Sequence, residues 1–492
     1  MKAYGWALLA VVALVGVVFM PAMEYQADPM CIRCEVVNFI NTGKIEVPAE
    51  VAKSQGETGQ FFFENSKGKW YSKYGIFNDV MNLPPLLVER CVTGAPLPYF
   101  VDTSKSSARL LALNFFNILL AMASAAYLYC IAARYARAPV AAFVFVLAAL
   151  YCTYWWNYLR AQNSEIYQAL FTLGFYYHLT TPFHGAARKV GRDLLLAGAF
   201  LGMLILVKAI YVVLIPLAVI WYGWFRVRSS VASGPAIVAV LRELACMAAP
   251  VALAFGALLA VNAYKFGSPF DTGYEQWGEY HHPVFSGNFL TGAWQLLFSA
   301  HGSILLHFPI VLPALLAFPW FLRRFPADFA LLLAIGVLLF VVNAKMRGFL
   351  GGWGYGPRYL LVTLPLLSLP FVLVIEYVRE NWRKGWVLGG SIVLVLVLGY
   401  SLDLQMNVNA LPFFINCQLE ECFAPLHMPE VDDYFISRPF GVVNAELLAH
   451  QKGAPWPLLQ QVAPRIGPQN VAFVDNYILT SSNYYWWRAT RR

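Results

Sequence analysis

Charged side chains are scarce in this sequence: Asp, Glu, Lys and Arg make up 13% of its 492 residues, against 59% hydrophobic and 16% aromatic. With a mean hydropathy of +0.56, that scarcity excludes a water-soluble enzyme of this size and points to a membrane. The motifs of soluble catalysts are missing as well. There is no P-loop, no G-x-G-x-x-G turn, no G-x-S-x-G elbow and no H-E-x-x-H, and Asp432-Asp433 is a lone doublet. Internal repeats, heptad runs and low-complexity tracts are absent too. Cysteine is limited to eight residues. Cys31 and Cys34 form a C-x-x-C without a second ligand pair at zinc spacing and without thioredoxin-like surroundings, which leaves a disulfide or an inert pair.

What the chain does have is apolar length. A membrane span needs about 20 mostly apolar residues, and about eleven stretches qualify: 4–22, 108–133, 138–157, 165–182, 193–207, 209–225, 243–264, 303–321, 326–344, 359–377 and 386–403. The run from 193 to 225 reads as two crossings that turn near Lys208. Residues 1–22 read as a retained first span, because Pro21, Ala22 and Met23 make a poor cleavage site. With the N-terminus inside, every cytoplasmic segment is basic: Lys2; Arg134 and Arg137; Arg188, Lys189 and Arg192; Arg226 and Arg228; Arg323 and Arg324; Arg379, Arg383 and Lys384. The formal charge of +8 is thus a signature of topology and not of a nucleic-acid surface, and no nucleic-acid partner is expected.

The expected fold is an all-α polytopic membrane protein. Residues 1–403 form the transmembrane module, with a large first outer loop at 23–107, and 404–492 form a small outer appendage. In the first loop a helix is expected over 29–42, capped by Asp28, with Pro29 at its first position and Gly43 after its end. A second amphipathic piece, Gly75 to Val88, is interrupted by Pro84 and Pro85 and is expected to bend back along the interface. Prolines 412, 425, 429 and 439 break the tail into short pieces, expected to be α/β or irregular.

Ionisable groups beside a bilayer are costly unless they have partners or work. Here they gather on the outer side: Asp28 and Glu35, Lys73 and Asp79, Arg160 and Glu165, Lys208, Lys265 and Asp271, His301 and His307, Arg347 and Arg358. Each has a structural reading beside the chemical one. Asp28 and Glu165 suit helix caps, Glu35 suits a solvated helix face, and Arg160 and Lys208 suit snorkelling to headgroups. The two histidines, at i and i+6, are not placed as a metal pair. Carboxylates and cations collected at one membrane face suit a reaction on a lipid-linked anionic substrate; a transporter or flippase of such a solute is the alternative reading.

In order along the chain stand Asp28 with Arg33, WYSKYG at 70–75, Ser164-Glu165, FGSPFDTGY at 266–274, LLFSAHGSILLHFP at 296–309 and GGWGYGPRYLLVTLPLL at 351–367. This succession resembles the bacterial membrane glycosyltransferases of the GT-C superfamily, the dolichyl-phosphate-mannose protein mannosyltransferase-like group. The resemblance covers residues 1 to about 380 and omits the tail. It implies a bacterial inner-membrane enzyme that moves a sugar from a polyprenyl-phosphate donor to a lipid, glycan or protein acceptor on the outer side, with inversion and without a nucleotide sugar; since cations can hold a monophosphate leaving group, no metal or other cofactor is expected. It also implies Asp28 as general base, with Glu35, Asp79 and Glu165 in reserve, and Arg160, Lys208, Arg347 and Arg358 on the donor phosphate. Trp353, Tyr355, Tyr74 and Asp271 would hold the sugar or acceptor. Asp28→Asn is expected to abolish sugar transfer in a normally folded protein, which a radiolabelled-sugar assay on purified protein measures; unaffected transfer would remove Asp28 from the mechanism.

Overall fold

The computed structural model describes residues 2–21, 27–54, 61–100, 108–160, 163–184, 190–230, 236–276, 283–300, 302–348, 355–411, 419, 431, 434 and 437–480. The chain opens with α1 (Lys2–Val18), α2 (Ala27–Thr42) and α3 (Ala49–Lys53). A two-stranded antiparallel ribbon follows, β1 (Phe62–Glu64) and β2 (Trp70–Ser72), then α4 (Ile76–Thr93). The bundle continues through α5 (Ala108–Ala132), α6 (Pro139–Tyr151), α7 (Trp155–Arg160), α8 (Ser164–Thr180), α9 (Val190–Val207), α10 (Leu214–Ser230) and α11 (Ala236–Phe266). After it come α12 (Phe289–Phe298), α13 (Ile304–His307), α14 (Val311–Arg324), α15 (Pro326–Lys345), α16 (Leu364–Leu367), α17 (Phe371–Asn381) and α18 (Gly385–Ala410). The tail adds α19 (Phe440–Gln451) and α20 (Pro457–Thr480), the latter kinked at Gly467.

Among the described residues, six helices are long and apolar enough to cross a membrane: Ala108–Ala132, Val190–Val207, Ala209–Arg228, Ile237–Phe266, Pro326–Lys345 and Gly385–Ala410. The protein is a membrane-embedded, multi-pass, mostly helical chain. Three expected spans are not single helices. The stretch 303–321 breaks between α13 and α14 at Phe308, because Pro309 offers no N–H and disfavours helical backbone before it. The stretch 359–377 divides into a 3-10 turn at Arg358–Leu360, α16 and α17, with Pro365 and Pro370 at the breaks. The stretch 138–157 bends after α6, where Thr153 Oγ1 donates to Ala149 O (2.6 Å) and accepts the Trp155 N–H (3.2 Å).

Small residues set the closest packing. A Cβ on Gly198 would strike the Met247 carbonyl and lie 2.7 Å from Pro250 Cγ, and one on Gly202 would lie 2.8 Å from Ala254 Cβ; Gly191 faces Cys246 Sγ. These positions rise together along both chains, so α9 and α11 run parallel at backbone contact. The chain between them must return, and α10 carries it back past the extended residue Lys208 (φ −154°, ψ 115°).

In the first loop α2 begins at Ala27, so the backbone of Asp28 lies within the first turn and not at the cap; its side chain is outside the described residues. Cys31 and Cys34 stand as buried thiols. Contrary to expectation α4 runs unbroken through Pro84 and Pro85 to a left-handed Gly94 (φ 64°). Pro84 and Val80 both lie on the exposed side, where a carbonyl deprived of its helical partner meets solvent. The tail is helical among its described residues, with its own apolar core around Leu447, Trp456, Leu459 and Val462. It joins the bundle through Asn444, whose amide donates to Asn407 O (3.3 Å) on α18.

Gly198→Ala is expected to destabilise the protein by about 1–3 kcal/mol, since a backbone carbonyl and a proline ring have little freedom to retreat; thermal unfolding in detergent measures it.

Candidate active site

The site is assembled where α9 and α11 end. Gly75, just before α4, lies so close to α9 that a Cβ would strike the Leu206 carbonyl and sit 2.7 Å from that of Val207. Asn78 Nδ2, one turn into α4, donates to Gly75 O (3.0 Å) and Val207 O (3.1 Å). The final α9 carbonyl thereby gains a partner where the helix stops. Lys208 leaves the helix extended, and its ammonium lies 3.9 Å over the Tyr359 ring.

Beneath this sits a buried charge cluster. Lys265, at the end of α11, donates to Glu35 Oε2 (2.6 Å) and Tyr74 O (3.5 Å), and its ammonium lies 3.8 Å from Asp79 Oδ2. Glu35 accepts the Ser72 N–H on its other oxygen (2.8 Å). One ammonium thus ties α2, the ribbon end and α4 to α11. Among the described residues, neither Asp79 oxygen finds a hydrogen-bond partner. Burial, reinforced by Glu35 and opposed by Lys265, raises its carboxyl well above the ordinary range. With both oxygens bonded, Glu35 is buried within the cluster and does not lie on the solvated helix face expected of it.

Next to the cluster lies a polar cavity of about 60 Å³, walled by Ile32, Lys73, Tyr74, Asn78, Asn163, Ser164, Glu165, Val207, Lys208, Tyr274, Arg358 and Tyr359. Glu165 Oε1 and Arg358 Nε are 3.2 Å apart in it. Lys208, Tyr274 and Tyr359 are shared with a second cavity of about 950 Å³, whose other walls are mainly apolar and include Ile210, Pro283, Val284, Phe285, Leu339, Val342 and Met346. A small charged chamber therefore adjoins a large apolar groove, with a lysine and two tyrosines at the junction.

Of the residues singled out from sequence, Lys73, Tyr74, Glu165, Lys208 and Arg358 meet in this chamber. Arg160 does not: its guanidinium donates to Phe19 O (2.5 Å), Asn409 O (2.9 Å) and Asn409 Oδ1 (2.6 Å), clasping α7 to the ends of α1 and α18. Tyr355 is buried beside His307 (ring centroids 5.0 Å), its hydroxyl accepting from Gln405 (3.1 Å) and its carbonyl from Tyr158 (2.9 Å). It is therefore a packing residue and not an open stacking surface. Asp271 shapes a turn, accepting from Gly273 N (2.8 Å) and Gln276 Nε2 (2.7 Å). A Cβ on Gly273 (φ 72°) would lie 3.0 Å from Lys73 Cα, so this turn seats Tyr274 against the chamber. The Arg347 side chain is exposed, while its N–H pairs with Val284 O (2.9 Å) at the groove rim. Trp353 and His301 lie outside the described residues. Asn78, Asn163, Tyr274 and Tyr359 were not picked out individually from sequence; Tyr274 and Tyr359 fall inside the quoted FGSPFDTGY and GGWGYGPRYL segments, and the asparagines carry no charge to attract notice. Among the described residues no group of three His, Cys, Asp or Glu side chains is disposed to hold a metal ion.

Two substitutions test the cluster. Lys265→Met leaves Glu35 buried without its cation and is expected to cost about 3–5 kcal/mol, partly restored by adding Glu35→Gln. Asp79 has a folded pKa above its unfolded value, about 4. The folded state binds the extra proton, so this stabilising contribution is complete below that pH and is lost as pH rises towards the folded pKa. Asp79→Asn is expected to flatten the fall in thermal stability above about pH 4; an unchanged pH profile would refute the assignment.

A family model described as dolichyl-phosphate-mannose-protein mannosyltransferase matches residues 106–253, less than a third of the chain. No curated protein sequence matches it. Among solved structures, ArnT from Cupriavidus metallidurans bound to undecaprenyl phosphate is similar at 15% identity and a TM-score of 0.51, over 97% of this chain and 76% of that one. The oligosaccharyltransferase of Archaeoglobus fulgidus, tethered to an acceptor peptide, is similar at 13% identity and a TM-score of 0.51, over 89% of this chain and 59% of its own length. The resemblance read from the motifs is thereby borne out, and the chain shares the fold of these two structures.

Proposed function

We propose that the protein is a membrane glycosyltransferase that moves a sugar from a polyprenyl-phosphate carrier to an acceptor hydroxyl on the outer side of a bacterial inner membrane. The observation that carries this reading is the charged chamber sharing Lys208, Tyr274 and Tyr359 with the apolar groove. Such a pair of spaces matches a molecule with a long hydrocarbon tail and an anionic, sugar-bearing head. The undecaprenyl phosphate named for the ArnT structure is a ligand of that kind.

In this reading about eleven stretches cross the bilayer, the N-terminus is inside, and the first loop and the 404–492 appendage are outside. The acceptor is a lipid, a glycan or a protein. A carboxylate takes the proton of the acceptor hydroxyl while its oxygen attacks the anomeric carbon. The bond from that carbon to the phosphate oxygen breaks, and the polyprenyl phosphate departs with the electron pair, inverting the configuration. Asp28, in the first turn of α2, is the assigned base, and Glu165, oriented by Arg358, is the reserve. Lys208 and Arg358 face the charge that grows on the leaving phosphate, so their attraction is stronger in the transition state than in the ground state. With two cations serving a monophosphate, no metal is required.

Lys208→Met is expected to lower the turnover of a farnesyl-phosphate sugar donor by about 100-fold or more, with thermal stability little changed. Unchanged turnover would overturn the assignment of the phosphate site. Mass analysis of envelope glycolipids and glycoproteins from cells with and without the protein identifies sugar and acceptor together.

A further inference from the structure

Asn163 stands at the N-cap of α8 with extended backbone (φ −95°, ψ 155°), yet its side chain makes no cap hydrogen bond. Asparagine is among the best capping residues because Oδ1 readily accepts an N–H from the first turn. Here that contact is forgone. The residue is 2% exposed, and both Oδ1 and Nδ2 are buried with no hydrogen-bond partner among the described residues. Leaving a whole amide unsatisfied is costly, and buried polar groups of this kind call for a partner from outside the chain. Asn163 lines the chamber with Glu165, Lys208 and Arg358, so the partner is whatever enters there.

We infer that Asn163 reads a hydroxyl group on the donor sugar and so helps set which sugar the protein accepts; this rests on the chamber being the donor site. The chemistry separates the sugar from the phosphate. A phosphate oxygen only accepts, and would satisfy Nδ2 while confronting Oδ1 with a second negative dipole. A sugar hydroxyl both donates and accepts, and two adjacent hydroxyls match the two ends of an amide. The anion already has suitable partners in Lys208 and Arg358. A chamber of about 60 Å³ has room for a few water-sized groups, which suits the hydroxyl edge of a sugar whose remainder lies towards Tyr274 and Tyr359.

The test compares the binding of farnesyl phosphate with that of farnesyl-phosphate mannose, glucose and arabinose by the full-length protein in detergent. The wild-type chain is expected to bind at least one sugar-bearing probe about tenfold or more tighter than the sugar-free one, the worth of about one good hydrogen bond. Asn163→Ala is expected to remove that preference, leave affinity for farnesyl phosphate unchanged and not lower the unfolding temperature, because it deletes an amide with no internal partner. A mono-deoxy series of the preferred probe on the wild-type chain reports the same contact without any substitution, one position losing about tenfold. The inference is overturned if Asn163→Ala keeps the preference, if it weakens both probes alike, or if no single deoxy position matters. A wild-type chain without any preference would instead sink the donor-site reading, and the role of Asn163 with it.

Discussion

One ammonium group, taken out of water between two acidic side chains, organises the end of the bundle that carries the chamber. Lys265 is 1% exposed and touches Glu35 across 230 positions of sequence. A buried ion pair is poor evidence of net stability, because desolvation consumes most of the attraction. Its consequence here is registry. With Glu35 held by Lys265 and by the β2 backbone, α2 has few alternative positions on the bundle, and the first turn that carries Asp28 is set by the same contact. At the neighbouring Asp79, burial and the nearby Glu35 push the carboxyl well above its ordinary range, against the pull of Lys265.

Close backbone approach supplies the other half of the architecture. The glycines of α9 let it lie against α11, and Gly75 lets the first loop reach the last carbonyls of α9. Helix ends usually leave such carbonyls to water. Here an asparagine side chain from α4 takes that place, so the chain can stop its helix at Val207 and turn Lys208 towards the chamber. Fold and chemistry share these few residues: the same approach that packs the bundle aims the cation.

Sequence reasoning succeeded and failed for identifiable reasons. Clustering of ionisable groups at one end was legible because charge is costly in a bilayer and each charged residue near a span end is conspicuous. Tyr74, Glu165, Lys208 and Arg358 do meet. The placements of Arg160, Tyr355 and Glu35 differ from expectation because each found an internal partner distant in sequence: Asn409, Gln405 and Lys265. Proline misled in both directions, being read as a break in α4, where the helix continues, and passed over at Pro309, where it does not.

The sequence by itself determined the membrane setting, the pattern of basic residues between apolar stretches and the order of the motifs, all of which are local properties of composition and spacing. Tertiary structure alone decided which charges neutralise one another, which open onto the chamber, and that an uncharged asparagine lies among them. Those outcomes depend on contacts between segments tens to hundreds of positions apart, and a partner at that distance leaves no periodicity or composition to be read.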